Sequence, residues 1–148
     1  MPVQNPLDLS ETDYVIIECF HIAGLVLAIG VTAVVDLRLL GLTLRQQSAA
    51  QLASDTSWWV LGGLTISIFT GLMLFSTDPD MYYTNLTFLI KRACLTLAIV
   101  FNYTVHRKAV LPDVSPGRAR LVASLSLALW VSIVFGGIFI ANNVVTIG

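Results

Sequence analysis

Residues 14–40 read YVIIECFHIAGLVLAIGVTAVVDLRLL, and this stretch decides the fold. A helix needs about 20 mostly apolar residues to cross the hydrocarbon core of a bilayer. Tyr14 to Leu40 exceeds that length, and its apolar residues run on continuously rather than alternating as in a barrel strand. The same stretch carries Glu18, His21, Asp36 and Arg38. Ionisable side chains inside a membrane are costly, so each is a functional candidate by default.

Working outward, three more segments have the length and composition of a span: about Trp58 to Ser76, about Leu86 to His106, and about Leu121 to Asn142. The second and fourth spans are uncharged, whereas the third contains Lys91. The whole chain is 56% hydrophobic and 11% charged, with a mean hydropathy of +0.82, where a soluble domain carries about 25% charged residues. The expectation is an all-α bundle of four transmembrane helices, a single integral membrane domain over residues 1–148. A net charge of -1 gives no electrostatic footing for nucleic acid. Residues 1–13 hold Asp8, Glu11 and Asp13 but no Lys or Arg, unlike the basic start of a secretory signal. Cys19 and Cys94 make no disulfide framework and read as small buried hydrophobes.

Local signals mark the helix ends. Asp55, Thr56 and Ser57 are N-cap candidates for the second helix, and Ser115-Pro116 fits the start of the fourth. Asp78-Pro79-Asp80 predicts a tight turn. Residues 41–54 read equally as a short interfacial helix or as a polar loop. Arg38 and Arg45 flank the first connection, and Arg107, Lys108, Arg118 and Arg120 the third. The positive-inside rule then places both termini outside and these loops in the cytoplasm. Trp58 and Trp59 fall at the inner interface, Tyr82 and Tyr83 at the outer one. Gly63, Ser67 and Gly71, with Gly24 and Ala28, form small-residue stripes that suit close helix packing or leave room for a flat ligand.

His21 precedes Asp36 by 15 residues, and Lys91 precedes His106 by 15 residues. The first and third spans run in the same direction, so His21 shares an outer layer with Lys91, and Asp36 an inner layer with His106. At 1.5 Å per residue the layers lie roughly 20 Å apart. Glu18 is one turn above His21 on the same face. Arg92 follows Lys91, and Thr70, Met73, Gly137 and Asn142 fall near this level. The inner layer, with Arg38, Arg107 and Lys108, reads as a charge-paired cluster at the headgroups whose basic chains snorkel to water.

A histidine between bundle helices suits an axial ligand of b-type haem. In that reading His21 binds iron and Gly24 leaves room for a porphyrin face. Lys91 and Arg92 would pair with propionates, and Glu18 could relay protons outward. His106 is too deep to bind the same iron within one chain, which leaves Met73, Lys91, Asn142, water, nothing, or a partner copy as the other ligand. The plainer alternative is a histidine satisfied by Glu18 or a backbone carbonyl. A di-iron carboxylate site is excluded, since Glu11 and Glu18 are the only glutamates. Soft-metal binding near Cys19 or Cys94 is a weaker alternative. A small accessory subunit without catalysis is another.

His21-Ile22-Ala23-Gly24, running on to Asp36-Leu37-Arg38-Leu39-Leu40-Gly41, resembles the first helix of HemJ, the bacterial four-helix protoporphyrinogen oxidase family. It is also similar to the CopD group of copper-resistance membrane proteins. Phe88-Leu89-Ile90-Lys91 resembles the lysine-bearing helix of the former, and Thr70-Gly71 is a weaker echo. The resemblance implies haem b with His21 as axial ligand and Lys91 as an essential companion. It also implies a bacterial inner-membrane setting, a homo-oligomer, and exchange of electrons with quinone or a larger redox complex. The chain departs from that pattern at Asn102, where the family usually has histidine, and at Leu37, where it usually has proline. These departures point to a sister family of uncharacterised four-helix membrane proteins.

Overall fold

A computed structural model describes residues 9–44 and 46–142, with the side chains of residue 81 and residues 140–142 left out. Ser10 starts α1 (Glu11–Leu39) through a capping box: its hydroxyl accepts from Asp13 N at 3.2 Å, and the Asp13 carboxylate accepts from Ser10 N at 3.3 Å. The helix ends where Gly41 takes φ +80, a left-handed conformation that glycine adopts without steric cost. Gly41 N donates to Arg38 O at 3.0 Å and Leu42 N to Leu37 O at 2.9 Å, the paired bonds of a Schellman cap.

Helix α2 (Ala49–Thr77) begins earlier than hydropathy suggests. Its N-cap is Ser48, which accepts from Gln51 N, so Asp55, Thr56 and Ser57 sit inside the helix rather than capping it. The stretch from Ala49 to Ser54 is thus helical but continuous with α2, and the described residues 40–44 and 46–48 lie outside both helices. Asp78-Pro79-Asp80 leads into a short helix, α3 (Pro79–Tyr83), instead of a bare turn. Asn85 caps α4 (Leu86–Phe101), its side chain accepting from Phe88 N at 3.1 Å. The span then passes through a π-helical turn, Asn102–His106, into α5 (Arg107–Ala109). Proline opens α6 (Pro116–Asn142), with Ala119 N donating to Ser115 O.

Four of these runs are long and apolar enough to cross a membrane: Glu11–Leu39, Ala49–Thr77, Leu86–Ala109 and Pro116–Phe139. The fold is an all-α four-helix bundle, and its surface suits lipid. Val26, Phe69, Leu97, Leu121 and Phe135 all face outward. Cys19 is exposed too, which corrects the expectation that it is buried; Cys94 packs beside the core. Several polar hydroxyls on the spans are satisfied locally. Thr32, Thr65, Thr96, Thr104 and Ser132 each donate to the carbonyl four residues back.

Helix α1 packs most closely on α2, and α4 on α6, with α1 also touching α6. The α1–α2 contact is made by the small-residue stripes. A Cβ added to Gly24 would lie 2.8 Å from Gly63 O, and one added to Gly63 would lie 2.6 Å from Gly24 O. The space beside Gly24 is therefore filled by α2 backbone, which corrects its reading as room for a porphyrin. Ala28, Val60, Leu64, Ala98, Trp130 and Ile133 join the four spans in one core.

Aromatic residues close the end of the bundle where α1 begins. Phe75 stacks on Phe88 at 5.7 Å, and Tyr82 lies 5.0 Å from Phe88. Tyr82 is buried and its hydroxyl meets that of Tyr14 at 3.2 Å, so only Tyr83 of the two tyrosines is placed as an interface residue. Burial raises the Tyr82 phenol above its ordinary range, and the bond from Tyr14 adds to this. At the opposite end Trp58 and Trp59 are exposed, as an interfacial belt requires.

Candidate functional site: two polar layers in the bundle

The outer layer is built on His21. Its position on α1 points the imidazole at α2, where Gly71 makes the space: a Cβ there would come 2.9 Å from His21 Cε1. His21 Nδ1 donates to Ser67 O at 2.7 Å. The hydroxyls of Ser67 and Thr70 lie 3.4 Å from the same nitrogen. Thr70 itself donates to Ile66 O at 2.6 Å. With Nδ1 as donor, the neutral ring presents a lone pair at Nε2, and among the described residues nothing hydrogen-bonds to Nε2. The histidine is thus fixed in tautomer and orientation by a backbone carbonyl, not by Glu18.

Lys91 enters the layer from α4. Its aliphatic stem lies along α6, where Cβ atoms built on Gly136 and Gly137 would lie 3.3 Å from Lys91 Cβ and 3.6 Å from Nζ respectively. Among the described residues Nζ has neither a hydrogen bond nor an ion pair within bonding distance. Glu18, His21 and Lys91 are within electrostatic reach of one another. The predicted layer is therefore assembled from three helices, with glycines of α2 and α6 as its walls.

Other predicted members stand apart. Arg92 is exposed on the outer surface of α4, its guanidinium 5.8 Å from the Phe88 ring centroid, and it lines a shallow groove with Leu89, Ala93, Thr96 and Leu97. It turns away from Lys91. Met73 is half-buried on α2, one turn beyond Thr70. Asn142 ends α6, and its side chain lies outside the described residues, as does Arg45. Ser67 and Gly136 carry more of the site than the sequence reading assigned them. Their signals were small residues at helical spacing opposite an ionisable one.

The inner layer is a direct pair. His106 Nε2 and Asp36 Oδ1 lie 2.6 Å apart, with His106 4% and Asp36 0% exposed. The predicted pairing is present, and both side chains are buried between the helices near the C-terminal end of α1. Arg107 and Lys108 are exposed. Arg38 turns back along its own connection and donates from Nε to Gln47 O at 2.6 Å. Among the described residues, the second carboxylate oxygen, Asp36 Oδ2, is buried with no partner, as are Asn85 Nδ2 and Ser126 Oγ. Among the described residues, no group of three or more His, Cys, Asp or Glu side chains converges to hold a metal ion.

No curated protein and no solved structure matches the chain. One family model does, over residues 14–143, which takes in all four spans and both polar layers. On that match the chain belongs to DUF6644, a family of unknown function.

Proposed function

We propose that this chain is a b-type haem-binding membrane protein of electron transfer, with His21 as an axial ligand. The observation that carries the reading is the His21 ring itself: Nδ1 is committed to Ser67 O at 2.7 Å, and Nε2 has no partner among the described residues. Ligating histidines almost always donate their other ring N–H to a carbonyl or carboxylate, which fixes the tautomer and raises the basicity of the ligating nitrogen. Haem bound there supplies one-electron chemistry.

The chain's own residues supply the rest. Gly71 allows the ring to seat against α2. Lys91 places a cation without a bonded counter-ion in the same layer, suited to a propionate carboxylate. Glu18 lies on the outward side of both, where it can exchange protons with the surface. His106 is engaged by Asp36, so Met73, water or a second copy of this chain would supply any further ligand to the iron. The likeness of the first and third helices to HemJ extends the proposal to porphyrinogen-type oxidation with quinone as electron acceptor, in a bacterial inner membrane.

The experiment is haem extraction from purified protein. The expected result is bound haem b in the wild type, a reduced haem content in Lys91→Met, and none in a folded His21→Ala variant. Equal haem content in all three would remove the reading.

A further inference from the structure

We propose that the Asp36–His106 pair is a proton-exchange site at the basic end of the bundle. Three features of the molecule carry this. The first is the orphaned oxygen. Asp36 Oδ1 is bonded to His106 Nε2 at 2.6 Å, while Oδ2 is buried and meets no donor among the described residues. A buried acceptor left unpaired costs about 1–3 kcal/mol, and more when the group is charged. A pair that served only to join α1 to the π-turn would be better built with both oxygens satisfied, or with a neutral amide. The orphans at Asn85 and Ser126 are neutral groups; among the described residues the Asp36 oxygen is the ionisable one.

The second feature is the backbone under His106. Residues 102–106 form a π-helical turn in a span that is otherwise α-helical. Such turns are rare and recur at functional sites. The wider turn holds one extra residue, which rotates the faces of the helix beyond it and leaves His106 buried between exposed Val105 and exposed Arg107. The third is access. A surface groove of about 380 Å³ opens at this end, lined by Arg38, Leu39, Ser48, Ala109, Pro112 and Ala119 among others. Leu39 is one turn beyond Asp36, and Ala109 one turn beyond His106, so the groove's lining lies one turn from the buried pair.

The proton count is simple. With neutral His106 donating from Nε2 and Asp36 ionised, the pair carries one negative charge. Uptake of one proton, at Asp36 Oδ2 or at His106 Nδ1, makes it neutral, and release restores the charge. No oxidant, metal or other reactant takes part. Among the described residues, the other charged groups at this end are Arg38 on α1, Asp55 on α2, Arg107 and Lys108 beside His106, Asp113 in the connection to α6, and Arg118 and Arg120 on α6. Arg38 reaches along its own connection to Gln47 O. The others are exposed, and among the described residues none of them forms a salt bridge with the pair.

The site stands independently of the haem reading, and its test uses a different spectral region. Infrared difference spectra of the purified protein in lipid, recorded on lowering the pH, should contain a carboxyl C=O band that rises as pH falls. Asp36→Asn should abolish that band, and His106→Gln should keep it but move its midpoint. Absence of any band lost in a folded Asp36→Asn variant would overturn the proposal. If Asp36→Asn does not fold, His106→Gln decides against wild type: a carboxyl band with an unmoved midpoint, or no band in either, overturns it. A colourless protein that passes this test would lose the haem reading and keep this one.

Discussion

His106 Nε2 reaches Asp36 Oδ1 at 2.6 Å across 70 residues of sequence, and the buried contact ties the third span to the first near the end of α1. Breaking a buried pair by removing one partner costs about 3–5 kcal/mol, because the survivor is left uncompensated, whereas replacing both by apolar groups is often neutral. Asp36→Leu or His106→Leu alone should therefore destabilise the protein by about that amount. The double variant should recover most of the loss. Unfolding by anionic detergent in mixed micelles measures all three.

The glycines of the spans divide into those that touch and those that do not. A Cβ on Gly24 would meet Gly63 O at 2.8 Å and Ser67 N at 2.9 Å, both backbone atoms that cannot swing aside. A Cβ on Gly30 meets nothing within 4 Å. Gly24→Ala should lower the thermal midpoint in detergent. Gly30→Ala should raise it slightly, since alanine exceeds glycine by about 1 kcal/mol in a helix interior.

Gly71 offers a finer probe, because what its missing Cβ accommodates is the His21 ring, at 2.9 Å from Cε1. Gly71→Ala should displace the imidazole and weaken its bond to Ser67 O while leaving the α1–α2 contact at Gly24 and Gly63 in place. Helix content by circular dichroism should be retained. Haem content and the position of the Soret band should change.

At the other end of the pH scale lies Tyr82, whose phenol is held protonated beyond its ordinary range by burial and by Tyr14. An unfolded tyrosine ionises at about pH 10. Above that value the folded state binds more protons than the unfolded state, so stability falls as pH rises. The loss should begin near pH 10 and be blunted in Tyr82→Phe, with ultraviolet titration of tyrosinate reporting on the same residue.

Much of this architecture is legible in the sequence. Apolar run length marks the four spans, and equal spacing on two parallel helices puts Asp36 against His106. Hydropathy fails where physics other than burial in lipid decides. The first turns of α2 are rich in Gln, Ser, Thr and Asp, so the helix there is invisible to an apolar count, and Ser48 rather than Ser57 caps it. Tyr82 looks like its neighbour Tyr83 in sequence, yet the short α3 turns one ring inward and the other out. The π-turn at Asn102–His106 has no composition of its own, being the consequence of where His106 must point. Gly24 and Gly71 carry the same sequence signal, but one faces backbone and the other an imidazole.

The central claim is the proposal that His21, whose Nε2 has no hydrogen-bond partner among the described residues, binds haem iron. The most direct measurement is the absorption spectrum of the protein purified from haem-replete cells, oxidised and reduced, beside that of His21→Ala. The account predicts a Soret band in the wild type and its loss in a variant that keeps its helix content. A folded wild-type protein without a Soret band, or a His21→Ala variant with the band intact, would contradict it.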